Sequence, residues 1–365
     1  MKRQILNTVS LSMLVMLLAL NLQIGSVYST TIKGLSVVPD VAVAPEDFIG
    51  SISLSEANMY ENDFNSKYLF PMQGMCTTDD GKIAVIDNSY GRIHILDTLL
   101  DNTFTFGSIS KFIYPTDIAF SLGNFYVSDA LGGDVKNYSV SGAFVKSIGK
   151  GVFNAPTGVA VLKGYIFVTD YFNQRIYKLD QSGKVLQYFN IKFPGGLSTD
   201  NNGKIAAISM FENKIYIFDI NLTVLNIIAG NELISPVDSA FDSTGNLYVV
   251  DRGLSRGKSN NGGVLMYSKD GKFIKQIDTT SATYIDQPDG SLITPTGITL
   301  DNFGNIYVFD AGFYYWNSQS EAPFGFPIGA RISVFSPTGI FLSKKDYIHD
   351  SGGILVNPLS ASLDE

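Results

Sequence analysis

The stretch that decides the fold is PTGVAVLKGYIFVTD (Pro156–Asp170), which continues through YFNQRIYKLD (171–180) and QSGKVLQYFN (181–190). It contains a proline, two apolar runs separated by a glycine turn, an aspartate, and then a segment in which apolar and polar residues alternate. Alternation with a period of two is typical of half-buried strands, and glycine permits the positive φ of tight hairpins. The stretch therefore predicts four short antiparallel strands.

The pattern occurs six times along the chain. The copies begin at Pro71, Pro115, Pro156, Pro194, Pro236 and Pro295. A four-stranded unit of this length is typical of a propeller blade, and no such unit can bury both of its faces alone, so the units must close into a ring. The sequence predicts an all-β fold, a six-bladed β-propeller of four-stranded antiparallel blades over residues 70–345.

The composition agrees with an all-β chain rich in turns. The 365 residues include 35 Gly, 25 Phe and 19 Tyr, and only 16% are charged. Cys76 is the only cysteine, so an internal disulfide is excluded and the core alone must stabilise the fold. We expect Cys76 to be a small core residue.

The N-terminal segment predicts export. A basic start, an apolar stretch and small residues near Ser29 indicate a signal peptide over 1–29, with an uncleaved anchor as the alternative. We expect a secreted or periplasmic protein, with stable membrane insertion only if this segment is retained.

Two further segments flank the predicted propeller. Residues 30–69 form an N-terminal extension in which 48–52 could clasp the last blade, and residues 346–365 form a polar C-terminal tail.

Charge limits the class of partner. Loss of Lys2 and Arg3 with the signal peptide would take the net charge from −8 to −10. Because a surface with this much negative charge repels phosphate backbones, we do not expect nucleic acid as a partner.

An aspartate closes the second strand of five copies, and two more aspartates follow the repeat proline. Consecutive strands of a blade run outward from the axis, so we expect both sets on one face, the second near the mouth of the axial tunnel. They offer a ring of oxygen ligands that suits calcium; the alternative is that each accepts hydrogen bonds in its own loop. The candidate metal ligands are Asp87, Asp129, Asp170, Asp251, Asp310, Asp117 and Asp238.

Two insertions follow the second strands of copies five and six, at 252–262 and 311–329. Long loops on a rigid scaffold are frequent binding sites, and aromatic side chains there suit a protein or polysaccharide partner. The alternative is a small apolar cluster that caps the tunnel. The candidate binding residues are Phe313, Tyr314, Tyr315, Trp316, Phe324 and Phe326.

The copies resemble the NHL repeat, and the third, with Pro156, Gly158, Asp170, Asn173 and Arg175, matches its pattern best. The resemblance implies a six-bladed propeller but not a function, because similar propellers include binders and enzymes. A zinc site like that of the peptidyl-amidating lyases needs several histidines, whereas this chain has only His94 and His349. We therefore expect an exported binding scaffold, with a gluconolactonase-like, metal-dependent hydrolase as the alternative.

Overall fold

A computed structural model describes residues 74–87, 91–108, 110–200, 202–255, 258–259, 262–277, 288–310, 313–314, 327–328, 331–346, 348–349 and 355–356. All regular elements in these ranges are β-strands, and they contain no helix suited to crossing a membrane. The predicted signal peptide, the extension with its 48–52 segment, and most of the tail lie outside the described residues.

Six four-stranded antiparallel sheets form the blades of a β-propeller, as the sequence predicts. The strands of blades one to three are β1 (Met75–Thr77), β2 (Ile83–Asp87), β3 (Arg92–Leu96), β4 (Asn102–Gly107), β5 (Pro115–Ser121), β6 (Asn124–Asp129), β7 (Asp134–Ser139), β8 (Phe144–Ile148), β9 (Pro156–Leu162), β10 (Tyr165–Asp170), β11 (Arg175–Leu179) and β12 (Val185–Asn190). Those of blades four to six are β13 (Pro194–Thr199), β14 (Ile205–Ser209), β15 (Lys214–Phe218), β16 (Val224–Ile228), β17 (Pro236–Phe241), β18 (Leu247–Asp251), β21 (Gly263–Tyr267), β22 (Phe273–Ile277), β23 (Pro295–Leu300), β24 (Ile306–Asp310), β27 (Arg331–Phe335) and β28 (Phe341–Asp346).

Three two-stranded sheets complete the described structure. They pair β19 (Leu254–Ser255) with β20 (Lys258–Ser259), β25 (Phe313–Tyr314) with β26 (Pro327–Ile328), and β29 (Ile348–His349) with β30 (Leu355–Val356). The first two lie in the insertions of blades five and six, between the second and third strands of each blade.

The core lies between neighbouring blades. In blade three, Ile166 and Val168 pack towards blade two, whereas Phe167 packs towards blade four, because successive strand residues point to opposite faces. Burial of both faces of each sheet explains why a single blade would not be stable.

The ring closes through packing of blade one on blade six. Met75 and Val85 share one apolar cluster with Tyr307 and Val334. The Thr77 hydroxyl donates to the Leu300 carbonyl at 2.8 Å across the same junction. Each blade, the sixth included, takes its four strands from one continuous segment, so closure in the described part of the chain uses side chains rather than an exchanged strand.

The connection between the second and third strands differs in length among blades, although its pairing register does not. The last residue of the second strand always pairs with the first of the third, as in Asp170↔Arg175 and Asp310↔Arg331. Four residues join these positions in blades one to four, whereas 252–262 and 311–330 join them in blades five and six. We call the side of the propeller that bears these connections the loop face, and the opposite side the turn face.

Every outermost strand carries a β-bulge at the same place, one residue after the strand begins. The bulged residue is half-exposed and apolar in five blades, as with Leu225 (54% exposed), and is Thr103 in blade one. A bulge twists an edge strand and hinders edge-to-edge pairing.

Candidate functional site

One residue in, or directly before, the first strand of each blade lies at the same register position near the axis of the propeller. Register places these residues at equivalent positions, opposite the penultimate residue of the second strand, as in Asp117↔Ser128 and Asp238↔Val250. In blade order they are Gly74, Asp117, Gly158, Gly196, Asp238 and Gly297. The order Gly-Asp-Gly is therefore repeated, and the two aspartates come from blades three positions apart in a ring of six.

Each axial carboxylate joins its own blade to the next one. Asp117 accepts from the amide of Ile118 at 2.8 Å and, through its other oxygen, from the amide of Val159 in blade three at 2.9 Å. Asp238 makes the same two bonds, with Ser239 at 2.8 Å and Ile298 in blade six at 3.1 Å. The two halves of the ring thus share one local pseudo-twofold arrangement.

In the blade that precedes each aspartate, the axial residue must be glycine, because the aspartate approaches its backbone closely. A Cβ on Gly74 would lie 2.3 Å from Asp117 Oδ1 and 2.6 Å from its Cα, and a Cβ on Gly196 would lie 2.4 Å from Asp238 Oδ1. Real Cβ atoms do not approach other atoms so closely, so each carboxylate lies over the backbone of the preceding blade. Only glycine leaves room for it.

The two aspartates line one small cavity, together with Thr116, Thr157 and Thr296. Its volume is about 10 Å³, close to the minimum for one water molecule. The Thr116 and Thr157 hydroxyls donate to the Pro156 and Pro194 carbonyls of the next blade, at 3.1 and 2.9 Å. At this level the axis is a packed polar layer, too narrow for an organic substrate.

Burial dominates the electrostatics of the pair. It raises the pKa of Asp117 to about 7, against the opposing effect of the backbone amides that donate to the carboxylate. The pKa of Asp238 is raised by burial and, secondly, by the charge of Asp117. Cys76 packs nearby against the core between blades one and two, and the pKa of its thiol is raised by burial and by Asp117. Near neutral pH the pair therefore retains a proton.

The five aspartates that close second strands lie elsewhere and are buried, and four of them bind the loop that enters their blade. Asp129 accepts from the Ile113 and Tyr114 amides at 2.9 and 2.7 Å, and Asp251 accepts from Ile234 and Ser235 at 2.8 and 2.9 Å. Asp170 and Asp310 accept from the corresponding loops before their blades. Each carboxylate thereby fastens the segment that enters its blade to the end of the second strand.

Blades one and four vary this arrangement. Asp87 Oδ2 lies 3.5 Å from Nε2 of the buried His94, whose Nδ1 lies 3.0 Å from the Thr105 hydroxyl. In blade four Ser209 donates to the Lys192 carbonyl at 2.7 Å, so a hydroxyl ties the entering loop where the other blades use a carboxylate.

The seven aspartates predicted as calcium ligands do not form one group in the described structure. Within the described ranges, no three His, Cys, Asp or Glu side chains come together in a group that could hold a metal ion. The structure brings Asp117 and Asp238 together and directs the five others to separate loops. Calcium binding therefore stays a prediction, and the described geometry supplies the hydrogen-bonding role that was its alternative.

The aromatic candidates lie mostly beyond the described residues. Phe313 and Tyr314 form strand β25 and pair with Ile328 and Pro327, so two short segments of the insertion of blade six form an antiparallel pair. Tyr315, Trp316, Phe324 and Phe326 lie outside the described ranges.

The sequence analysis expected Asp117 and Asp238 near the mouth of the tunnel, but it missed the glycines at the axis and grouped this pair with the five aspartates that lie elsewhere. A signal was present, because Gly, Asp and Gly occur at matching positions in copies one to three and again in copies four to six. It becomes visible only when Gly74, which is three residues after its proline, is aligned with the residues that are two after theirs.

Comparison with known proteins supports the fold. No protein-family model and no curated protein matches the chain, so the NHL assignment stays a prediction. A streptogramin B lyase superposes with a TM-score of 0.54 at 14% identity, covering 77% of this chain and 84% of its own. Virginiamycin B lyase from Staphylococcus aureus superposes with a TM-score of 0.52 at 14% identity, over 76% of this chain and 85% of the lyase. A gluconolactonase from Xanthomonas campestris superposes with a TM-score of 0.51 at 13% identity, over 65% of this chain and 82% of the gluconolactonase. At these identities the likeness concerns the fold alone.

Proposed function

We propose that this chain is an exported propeller of NHL type that binds a protein or polysaccharide through the loop-face insertions of blades five and six. The observation that carries the proposal is the length of one connection. Four blades use four residues between the second and third strands, whereas the two neighbouring blades use 252–262 and 311–330 at the same register. Scaffold geometry does not require the extra length, so we assign it to recognition.

The composition of the longer insertion favours a partner with apolar or ring-shaped groups. Residues 311–330 contain six aromatic side chains, and Trp316 is the only tryptophan in the chain. Aromatic residues are enriched where proteins bind other proteins and ligands. The basic start and apolar stretch of residues 1–29 support export.

The hydrolase alternative depends on the axial carboxylates. Asp117 and Asp238 are buried, and each oxygen of both already accepts a backbone amide. The cavity they line is about 10 Å³, and the likeness to the Xanthomonas campestris gluconolactonase concerns the fold alone. These observations favour binding over hydrolysis.

The proposal can be tested through Trp316 fluorescence, which reports on the insertion without a label. Purified protein is titrated with soluble cello-, chito- and xylo-oligosaccharides and with a library of extended peptides, while the emission maximum and intensity are followed. We expect a saturable change with at least one class. Lactones and esters are assayed in parallel, with and without calcium.

A matched variant is available from the chain itself. Blade three joins Asp170 to Arg175 with Tyr-Phe-Asn-Gln, and the same four residues can replace 311–330. Calorimetric titration with the ligand found above should show binding to the original protein and none to this variant. Hydrolysis that needs calcium and survives the replacement would instead support the enzyme, and unchanged ligand binding would overturn the proposal.

A further inference from the structure

A second cavity lies on the turn face, between blades four and five, away from the insertions. Its volume is about 320 Å³, within the range of small-molecule sites. The walls are apolar, with Ile217 and Leu225 from blade four and Phe241 and Leu247 from blade five. Ile217 and Leu247 are buried core residues, so the cavity reaches from the surface down to the inter-blade core.

The cavity lies beside a position that two other blades fill with a lysine. The residue after the outer-strand bulge is Lys146 in blade two and Lys275 in blade five, and each lysine donates to a carbonyl in the next blade, Gln181 and Thr338 respectively. Asn226 stands at this position in blade four and donates to the Asp270 carbonyl at 3.2 Å. Compared with blades two and five, blade four makes this junction with a shorter side chain, which leaves the volume that the lysine stem occupies in those two blades.

A lysine in the first hairpin of blade four places an ammonium group at this cavity. The residue after the glycine of the first hairpin is Asn246 in blade five and Asn305 in blade six, and each bonds the aspartate of its own turn. Lys204 is the equivalent residue in blade four, and its Nζ instead donates to the Lys269 carbonyl of blade five at 3.0 Å. An ammonium has three donors, and this bond uses one of them.

The charges around the cavity favour an anion. Lys204 and Lys269 line it together with one carboxylate, that of the exposed Asp270. Asp242 is not among the lining residues, and its carboxylate accepts from the Thr244 and Asn246 amides of its own turn at 2.8 and 2.9 Å. The lining therefore carries a net positive charge in a chain whose net charge is −8.

We propose that this cavity binds a small organic anion with an apolar body. The apolar part contacts Ile217, Phe241 and Leu247, and the carboxylate or sulfonate accepts hydrogen bonds from the Lys204 ammonium. The side chain of Lys269 adds positive charge at the rim. The site is independent of the loop-face function, because its residues lie on the opposite side of blades four and five.

The test uses 2-naphthoate as the probe and 2-naphthalenemethanol as its neutral analogue, measured by isothermal titration calorimetry on the purified protein. We expect saturable 1:1 binding of naphthoate with a Kd below about 1 mM, and at least tenfold weaker binding of the alcohol. Lys204→Gln should weaken naphthoate binding roughly tenfold, because it removes a charge-assisted hydrogen bond. Lys184→Gln, at an exposed lysine of blade three, should leave binding unchanged.

Asn226→Lys separates cavity volume from charge. It introduces the lysine that blades two and five have at this position, so the fold should tolerate the change, and a melting curve checks this. Although it adds a positive charge, it should abolish naphthoate binding by filling the cavity. Equal binding of acid and alcohol, undiminished binding by folded Asn226→Lys, or no saturable binding to the original protein would each overturn the proposal.

Discussion

Asp117 and Asp238 line one axial cavity from blades two and five, and each carboxylate lies over the glycine of the preceding blade while it accepts an amide from the following blade. Each aspartate therefore ties three consecutive blades together, so the two contact all six. A buried acidic pair at such a junction should influence stability in a way that depends on pH.

We expect the protein to become more stable as the pH falls from 8 to 5. In the folded state the pKa of Asp117 is about 7, compared with an ordinary value of 3.8, and that of Asp238 is also raised. The folded chain thus holds protons that the unfolded chain releases in this window, and the stability they contribute is lost as the pH rises through about 7. Urea unfolding at pH 5 and pH 8 should differ by a few kcal/mol, on the order expected for such shifts.

The double variant Asp117→Asn and Asp238→Asn is the control for this effect. Each asparagine offers one carbonyl oxygen to two backbone amides, so the variant should be less stable overall. Its free energy of unfolding should nevertheless change less between pH 5 and pH 8 than that of the original protein. An identical pH dependence in both proteins would show that other groups are responsible.

Gly196→Ala should destabilise the propeller by about 2–3 kcal/mol, because its Cβ would collide with Asp238 and lie 3.0 Å from the Val237 carbonyl. Gly164→Ala is the comparison, since its Cβ meets no atom within 4 Å and its φ of 78° adds strain of about 1 kcal/mol. Thermal melts of both variants measure the difference. A Gly196→Ala variant no less stable than Gly164→Ala would contradict the packing of the carboxylate over this backbone.

Asp251→Ala should cost about 2–4 kcal/mol, because the amides of Ile234, Ser235 and Gly253 would lose their acceptor. Asp251→Ser should recover part of this loss, because its hydroxyl can still hold the entering loop, as Ser209 does by donating to the Lys192 carbonyl in blade four. If these aspartates act through hydrogen bonds, a chelator should leave the melting temperature of the original protein unchanged. Stoichiometric calcium, with a lower melting temperature after chelation, would restore the predicted metal site.

Replacing 311–330 with Tyr-Phe-Asn-Gln should leave the propeller folded, with a melting temperature within a few degrees of the original. The reason is that Asp310 and Arg331 pair in the register that four residues span in blade three. Far-ultraviolet circular dichroism during heating provides the measurement. A chain that no longer unfolds cooperatively would show that the insertion belongs to the core, as the tunnel-capping alternative requires.

The sequence by itself determined the number of blades, the order of strands and the positions of the insertions. Alternation, turn glycines and the repeat proline are local properties, and they recur six times, so a single error in one copy is corrected by the others. The strand Arg175–Leu179 and the hairpin that joins Pro156–Leu162 to Tyr165–Asp170 were both predicted from such patterns, and both are present.

Only the tertiary structure decided which carboxylates meet. Asp117 and Asp129 are both buried. Asp117 lies at the axis and shares a cavity with Asp238, which is 121 positions away in the chain, whereas Asp129 accepts from the loop that enters its own blade. The cavity beside Asn226 depends in the same way on the length of one side chain relative to a neighbouring blade. Sequence patterns describe a blade, whereas these sites arise between blades, where inner-strand bulges and side-chain reach determine the distance between atoms remote in the chain.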